Sequence, residues 1–551
     1  MNTCKQCQSS FEVSDQDRAF YERIRVPDPS FCRSCRGQRR MSWRNEKTLY
    51  RRPCGLCGKG VIVIYSEDKP FPVYCQDCFW GDGWDPLEQG IEFDFGKSFF
   101  EQFAELQKKV PRLAVVNKQS QNSEYCNYSF ANKNCYLTFG NHYEEDCMYG
   151  RYSTKNRDCL DYLWTYGSEL CYENTFSKNC HRSVYLDRSD SCDSCWFSSN
   201  LTGCKNCLFC SNLNHKEYHI LNKPYSKEAY SEKLKEYKLD TYEGFMQARS
   251  FYETDFRKQF PVRGSYLINC ENAFGDNLSQ CKNVRDLFDA DTCEDVAHAD
   301  QIDQTFDSMD MTCMGYDRSE LCYETIGCSG LFNCLFCDSC WHDSDLFYCN
   351  LCFSSKNCFG SVSLKQKNYC ILNRQYSKEE YETLVPRIVE HMKKNGEWGE
   401  FFPTAVSPFA YNETIAQEYF PLTSEIAAEK DWKWKMIEDR ISDVSKKIPA
   451  SRLPETIAEI PDDVLNWAIE CEETGRPFKI QKSELAFYRK LDLPLPHFHP
   501  DVRLAHRMKR RLPRRLWERK CAKCSQIIQT AYSPDRPEKV YCEACYLKEV
   551  Y

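Results

Sequence analysis

The strongest constraint on this chain is a spacing that occurs twice. Cys521-x2-Cys524-x17-Cys542-x2-Cys545 lies near the end, and Cys54, Cys57, Cys75 and Cys78 repeat it 467 residues earlier. The register holds upstream without a gap: Cys4 falls on Cys471, Phe11 on Phe478, Phe20 and Tyr21 on Phe487 and Tyr488, Pro27 on Pro494, and Arg36 on Arg503. Residues 1–84 and 468–551 therefore read as one duplicated module around a different middle.

Two CxxC pairs at this separation suit a tetrahedral zinc site, each pair forming a tight knuckle that offers two thiolates. The residues between them, with β-prone Val61, Ile62, Val63, Ile64 and Tyr65 and then Val73 and Tyr74, predict a short hairpin joining the knuckles. A closed set of four thiolates has no position for water, so its role is structural. Upstream, Cys4-x2-Cys7-x24-Cys32-x2-Cys35 makes a further site, with Ser14 and Asp17 predicting a helix start in its long arm. Its downstream counterpart has Thr474, His499 and Val502 in place of Cys7, Cys32 and Cys35, so packing of Phe478, Phe487 and Tyr488 must replace the metal there. The expectation is three structural Zn2+ sites.

Cys4-x2-Cys7-x3-Phe11, Ala19-Phe20-Tyr21 and Phe31-Cys32-Arg33-x-Cys35-Arg36 resemble the small bacterial probable zinc-ribbon domain. Most of the chain is similar to an uncharacterised family of cysteine-rich multi-zinc-ribbon proteins of candidate-phylum bacteria. That likeness includes Trp84-Asp85-Pro86-Leu87, Tyr225-Ser226-Lys227-Glu228, Tyr376-Ser377-Lys378-Glu379, Leu493-Pro494-Leu495-Pro496 and the segment Tyr532 to Pro537. The resemblance implies zinc and the domain layout, and it implies no activity.

No basic-then-apolar leader follows Met1 and no run approaches the ~18 apolar residues of a membrane span. Thirty-seven cysteines at ribbon-like spacings in a chain of 551 residues point to a reducing cytoplasm rather than to a disulfide framework.

Charge is segregated. The first module carries Arg36, Arg39, Arg40 and Arg44 interleaved with Met41 and Trp43. Its counterpart carries Arg503, Arg507, Lys509, Arg510, Arg511, Arg514, Arg515, Arg519 and Lys520 against Glu518 alone, in a chain of net charge -8. Such stretches suit a phosphate-tracking surface for nucleic acid or a ribonucleoprotein. The competing readings are a solvated face and one that docks on the acidic middle of the same chain.

In that middle the cysteines fall at 126, 135, 147, 159, 171, 180, 192, 195, 204, 207 and 210, every interval a multiple of three. Neither a helix nor an alternating strand gives that count, whereas a parallel β-solenoid returns the same small buried residue to the same interior row. Asn134, Asp146, Asp158, Asn179 and Asn206 precede cysteines and tolerate left-handed backbone at corners, where stacked side chains would form ladders. The pattern recurs: Ser168 to Glu173 repeats as Ser319 to Glu324, and Tyr218 to Glu228 as Tyr369 to Glu379, both displaced by 151. Helices starting after Ser226 and Ser377 would cap the open edges. Cysteines on successive turns form a line rather than a cluster, which favours small apolar filler over an iron–sulfur site.

The expected architecture is multidomain and mainly β with small α+β parts. A tandem zinc-ribbon, treble-clef-like module spans 1–84, a packing helix from Ser98 and linker 85–116, and a first cysteine-rich solenoid 117–225. A helical cap and connector follow at 226–265, then a second solenoid at 266–376. A helical and aromatic connector, with a helix from Glu425 to Lys447 and a linker from Pro449 to Pro461, covers 377–467. The duplicated module, opened by a lead helix at Asp462, closes the chain at 468–551. Enzyme signatures are thin: no phosphate loop, no G-x-G-x-x-G and no H-E-x-x-H occurs. A β-helix carbohydrate-active enzyme using Asp286, Asp289, Asp291 and Asp295 is the weakest reading. A non-catalytic nucleic-acid or ribonucleoprotein binder leads, with a protein–protein scaffold as the alternative.

Overall fold

The computed structural model describes every residue except 272, 274, 283–286, 295–299, 304–322, 328–332, 438–443 and 551. The chain is multidomain and mixes short strands with helices. Each terminal cysteine unit has the same build. Strands Tyr50–Pro53 and Gly60–Val63 form an antiparallel hairpin whose turn is the first knuckle, and Cys75 is the N-cap of helix Gln76–Trp80. The hairpin thus straddles the first knuckle instead of filling the interval between the two. Asn2–Thr3 with Ser10–Phe11, and Trp517–Lys520 with Ile527–Thr530, repeat the arrangement. Helix Asp15–Arg23 starts at Ser14 with the predicted reciprocal cap from Asp17.

The middle is built from triplets. Parallel bridges join residue i to i+12, from Gln121–Lys133 to Asp193–Lys205 and again from Tyr323–Leu335 to Phe353–Lys365. Between bridging residues, every third position has positive φ, and Asn134, Asp146, Asp158, Asn179 and Asn206 all lie there. The remaining third of the residues point inward and are buried: Asn132, Cys135, Thr138, Asn141, Glu144 and Cys147 in one stretch. Each bridging residue donates and accepts along the stack, as Lys133 N–H does to the Glu144 carbonyl (2.8 Å) and the Lys133 carbonyl does from Asp146 N–H (2.9 Å).

That leaves one inward backbone N–H per triplet to satisfy, because a buried orphan donor is costly. Side chains one rung earlier accept it: Ser123 Oγ from Cys135 (3.0 Å), Asn132 Oδ1 from Glu144 (3.0 Å), Asn156 Oδ1 from Ser168 (2.8 Å) and Ser183 Oγ from Cys195 (3.2 Å). Thiols donate instead to carbonyls, Cys159 to Arg157 (3.3 Å) and Cys171 to Glu169 (3.4 Å). The interior therefore selects Ser, Asn, Thr and Cys, which are small and carry a polar atom. Corners outside Asn, Asp and Gly cost roughly 1–2 kcal/mol each, and their side chains stack in columns instead: Tyr152 on Trp164 at 5.2 Å and Trp164 on Phe176 at 5.0 Å.

Glu144 and Asp343 place carboxyls at inward positions. Tyr162 also points inward, where a methyl group on Gly150 would lie 2.1 Å from its ring, and its hydroxyl donates to Glu144. Burial pushes the Glu144 carboxyl up to about 7.

The terminal modules mount on both stacks. Val73–Tyr74 pairs in parallel with Arg112–Leu113 ahead of the first stack, and Val540–Tyr541 pairs with Val262–Arg263 ahead of the second. Tyr21 meets Tyr323 edge-on at 5.1 Å and Phe79 meets Phe353 at 5.9 Å, so the first module leans on the second stack. The C-terminal module leans on the first, with Tyr488 against Tyr172 at 5.7 Å. Helices Phe99–Gln107, Lys227–Glu236 and Lys378–Lys394 begin at Ser98, Ser226 and Ser377 as expected, Ser226 capping without an acidic partner three residues on.

Three further expectations need correction. The helix expected from Glu425 to Lys447 ends at Glu429, because Lys433 and Lys435 bond to Tyr411 (2.7 Å) and Asn412 (3.0 Å) rather than along the chain. The stretch from Pro449 to Pro461 is no loose linker: Ala450, Ile457 and Ile460 are buried in the C-terminal core. The lead helix is one short 3-10 turn, Asp462–Asn466, followed by strand Trp467–Glu470 between Lys446–Pro449 and Pro477–Phe478. Asp286 and Asp295 lie outside the described residues, as do the side chains of Asp289 and Asp291.

Glu144 has its carboxyl raised in the folded chain from 4.5, so folding takes up a proton between the two values. Stability from this group is fully present below about 4.5 and declines as pH rises towards about 7. Thermal melts of Glu144→Gln should lose that decline and run above the wild type at pH 8.

Candidate metal centres and the arginine seats

Three quartets bring four sulfurs within 4.8 Å of one another: Cys4, Cys7, Cys32 and Cys35; Cys54, Cys57, Cys75 and Cys78; and Cys521, Cys524, Cys542 and Cys545. They could each hold a metal ion. In each, two sulfurs come from a hairpin turn and two from the first turn of a helix. Sulfur separations of 3.7 Å for Cys7 and Cys32, 3.9 Å for Cys57 and Cys75 and 3.7 Å for Cys524 and Cys542 match the edge of roughly 3.8 Å that a tetrahedral zinc thiolate requires. Backbone N–H groups prepare the thiolates: Cys75 N–H donates to Cys54 Sγ at 3.3 Å and Cys542 N–H to Cys521 Sγ at 3.2 Å. Burial alone would raise Cys54 and Cys521, and the N–H groups of their own knuckles outweigh it, drawing both to about 6.

The fourth position has become a different structure. Cys471 is buried, while His499 caps helix Pro500–Arg510 by accepting from Asp501 N–H at 3.1 Å. His497 pairs with Glu472 at 2.6 Å and stacks on Tyr242 at 3.4 Å. Phe478, Phe487 and Tyr488 are buried as the core that the sequence required. Among the described residues, the central cysteines form no quartet of this kind.

The arginine-rich segments are not the open phosphate-tracking face expected. Arg36, Arg39, Arg40, Arg44, Arg503 and Arg507 are buried. Arg39 reaches Glu324 and Glu400, both at 2.9 Å, and Arg36 lies 4.0 Å from Glu324. Arg44 pairs with Glu46 at 2.6 Å, and Glu46 also takes Arg151 at 2.5 Å. In the C-terminal module Arg503 and Arg507 both reach Asp161 at 2.7 Å, Arg507 reaches Glu173 at 3.5 Å, and Arg510 reaches it at 3.4 Å. Burial would raise Glu173 and Glu46, yet the facing guanidinium groups hold both below the ordinary carboxylate range. Arg511 and Arg514 lie over the ring of Tyr419 at 4.0 and 4.5 Å. Lys509 and Arg515 are exposed.

Sequence reasoning missed the receptors of these arginines. A signal was present: Glu173 and Glu324 end the two copies of the hexapeptide Ser-Glu-Leu-Cys-Tyr-Glu. Asp161, Glu46 and Glu400 carried none.

No family model and no curated protein matches the chain. Among the described residues, no helix is long and apolar enough to cross a membrane.

Metal analysis of protein purified under reducing conditions should give about three zinc per chain. Cys521→Ser should lose one equivalent, while Cys471→Ser loses none. Removing one partner of a buried ion pair leaves a charge without compensation, at a cost of about 3–5 kcal/mol. Arg39→Met should therefore lower the melting temperature sharply, and adding Glu324→Gln should recover part of the loss.

Proposed function

We propose that this is a non-catalytic zinc-binding protein that serves as a rigid interaction scaffold. The observation that carries the reading is the use of the basic segments: their guanidinium groups are spent on Glu324, Glu173, Asp161 and Glu46 of the same chain. Each quartet would hold Zn2+ through its four thiolates, and the bound ion would supply a cross-link between hairpin and helix in a segment too small to make a core. We read the two twelve-residue stacks as coils of a parallel β-solenoid and the terminal modules as copies of one unit. The register of the bridges and the paired positions of Val73 and Val540 support both readings. The free thiols of the cysteines whose side chains are described suit a reducing cytoplasm. Membership of the uncharacterised multi-zinc-ribbon family is part of the same proposal.

Nucleic-acid or ribonucleoprotein binding is the second reading, and it rests on the cations still exposed, Lys509, Arg515 and Lys520. The two readings separate by salt dependence. On duplex DNA three phosphate contacts give a log–log slope of about -3, whereas engagement of the eleven arginines and lysines from Arg36 to Arg44 and from Arg503 to Arg515 would give about -10. In titrations of single-stranded RNA and duplex DNA by fluorescence anisotropy, the scaffold reading expects weak binding with the shallow slope or none. A slope near -10 would overturn it.

A further inference from the structure

One device recurs throughout this fold: an arginine held between an aromatic ring and a carboxylate. Arg39 lies over Phe31 at 4.3 Å and pairs with Glu324 at 2.9 Å. Arg44 lies over Tyr128 at 3.5 Å with Glu46 at 2.6 Å, Arg503 over Tyr149 at 4.6 Å with Asp161 at 2.7 Å, and Arg510 over Tyr185 at 4.2 Å with Glu173 at 3.4 Å.

A cleft of about 580 Å³ between helix Gln76–Trp80, the turn that follows it and the second stack presents the rings and carboxylates of that device. Its walls include Trp80, Trp84 and Phe353, with Trp80 40% exposed and 4.8 Å from Phe353. The two ammonium groups at the cleft are already committed. Lys365 donates to the carbonyls of Phe79 (2.8 Å) and Gly81 (3.1 Å) over the ring of Trp84, and Lys367 pairs with Asp85 at 2.9 Å. Asp82 and Glu88 are exposed on the same wall, and among the described residues neither side chain takes part in an ion pair.

The C-terminal module supplies an internal comparison. There Glu549 stands 467 residues after Asp82 and is neutralised by Lys523; the position matching Lys523 is Leu56, 44% exposed. Leu547 stands where Trp80 does. The C-terminal module thus carries the cation in cis, whereas the N-terminal module carries an apolar residue there and adds a second indole.

We propose that the cleft at Trp80, Asp82 and Glu88 is a seat for an arginine side chain from a basic segment of a partner protein. The exposed Trp80 indole attracts the guanidinium and the two carboxylates accept its N–H groups, together a cation–π and charge-assisted site. The volume lies within the range of small-ligand sites and holds more than one side chain, so flanking residues of the peptide would share it. The proposal rests on the scaffold reading and names its partner chemistry. The salt-slope measurement above tests that reading independently of this cleft.

The test is calorimetric titration of full-length, zinc-loaded protein with acetyl-tri-arginine amide, with tri-lysine, tri-glutamine and a neutral disaccharide as comparison ligands. Tri-arginine should bind, tri-glutamine and the sugar should not, and tri-lysine should bind more weakly, lacking the planar fork. Trp80→Ala and the pair Asp82→Asn with Glu88→Gln should each weaken tri-arginine by about tenfold or more, the loss of one such contact. Leu56→Lys, which installs the cis cation of the C-terminal module, should abolish binding with zinc content and melting temperature unchanged. Glu217→Gln, on the first stack, should have no effect. Tri-arginine binding of unchanged affinity in Leu56→Lys and in the Asp82/Glu88 pair would overturn the proposal, as would absence of binding or preference for the sugar.

Discussion

A guanidinium buried without a counter-charge would cost several kcal/mol, and this architecture meets Arg39, Arg44, Arg503 and Arg507 of the two terminal modules with carboxylates. The helices that follow the cysteine knuckles carry arginines inward, and the stacks offer Glu324, Glu173 and Asp161 at the facing positions. Because a misplaced module would leave both charges stranded, these pairs specify where each module sits as much as they hold it there. Val73 and Val540 fix the same placement through backbone pairing ahead of the two stacks. Each module is thereby tied to the entrance of one stack and to the flank of the other.

The stacks have their own constraint. A triplet that turns a corner at every step exposes one inward N–H per triplet to a dry interior. Ser and Asn side chains one rung earlier satisfy that donor, while Cys fills the same space and bonds backbone carbonyls, which accounts for the long runs of these three residues. Cysteine abundance in the middle is thus a packing consequence. At the ends the same residue type converges in quartets with sulfur edges suited to tetrahedral metal, a separation of roles visible in geometry and not in composition.

The lost fourth quartet shows what a metal cross-link replaces. Where Cys32 caps a helix in the first module, His499 caps one in the last, through its own ring nitrogen. Hairpin, helix and helix persist around Cys471, now supported by buried Phe478, Phe487 and Tyr488 and by Ile457 and Ile460 from the segment before them. A larger apolar core does there what thiolates could do elsewhere, and it explains why the stretch ahead of this module is packed down instead of free.

The sequence by itself determined the quartets, the three-residue count of the middle, the left-handed corners at Asn134 or Asp158, and the serine-capped helix starts. All of these depend on covalent spacing and local backbone preference, which are written along the chain. Tertiary structure alone decided the fate of the arginines. A run of cations reads the same whether it faces solvent or an acid hundreds of residues away, and only the fold brings Arg507 to Asp161 or Arg39 to Glu324. It likewise decided that Lys433 bonds to Tyr411 instead of continuing a helix, and that Asp82 and Glu88 meet Trp80 at a cleft while Glu549 meets Lys523. Burial and partner choice are properties of three-dimensional proximity, which periodicity and spacing do not encode.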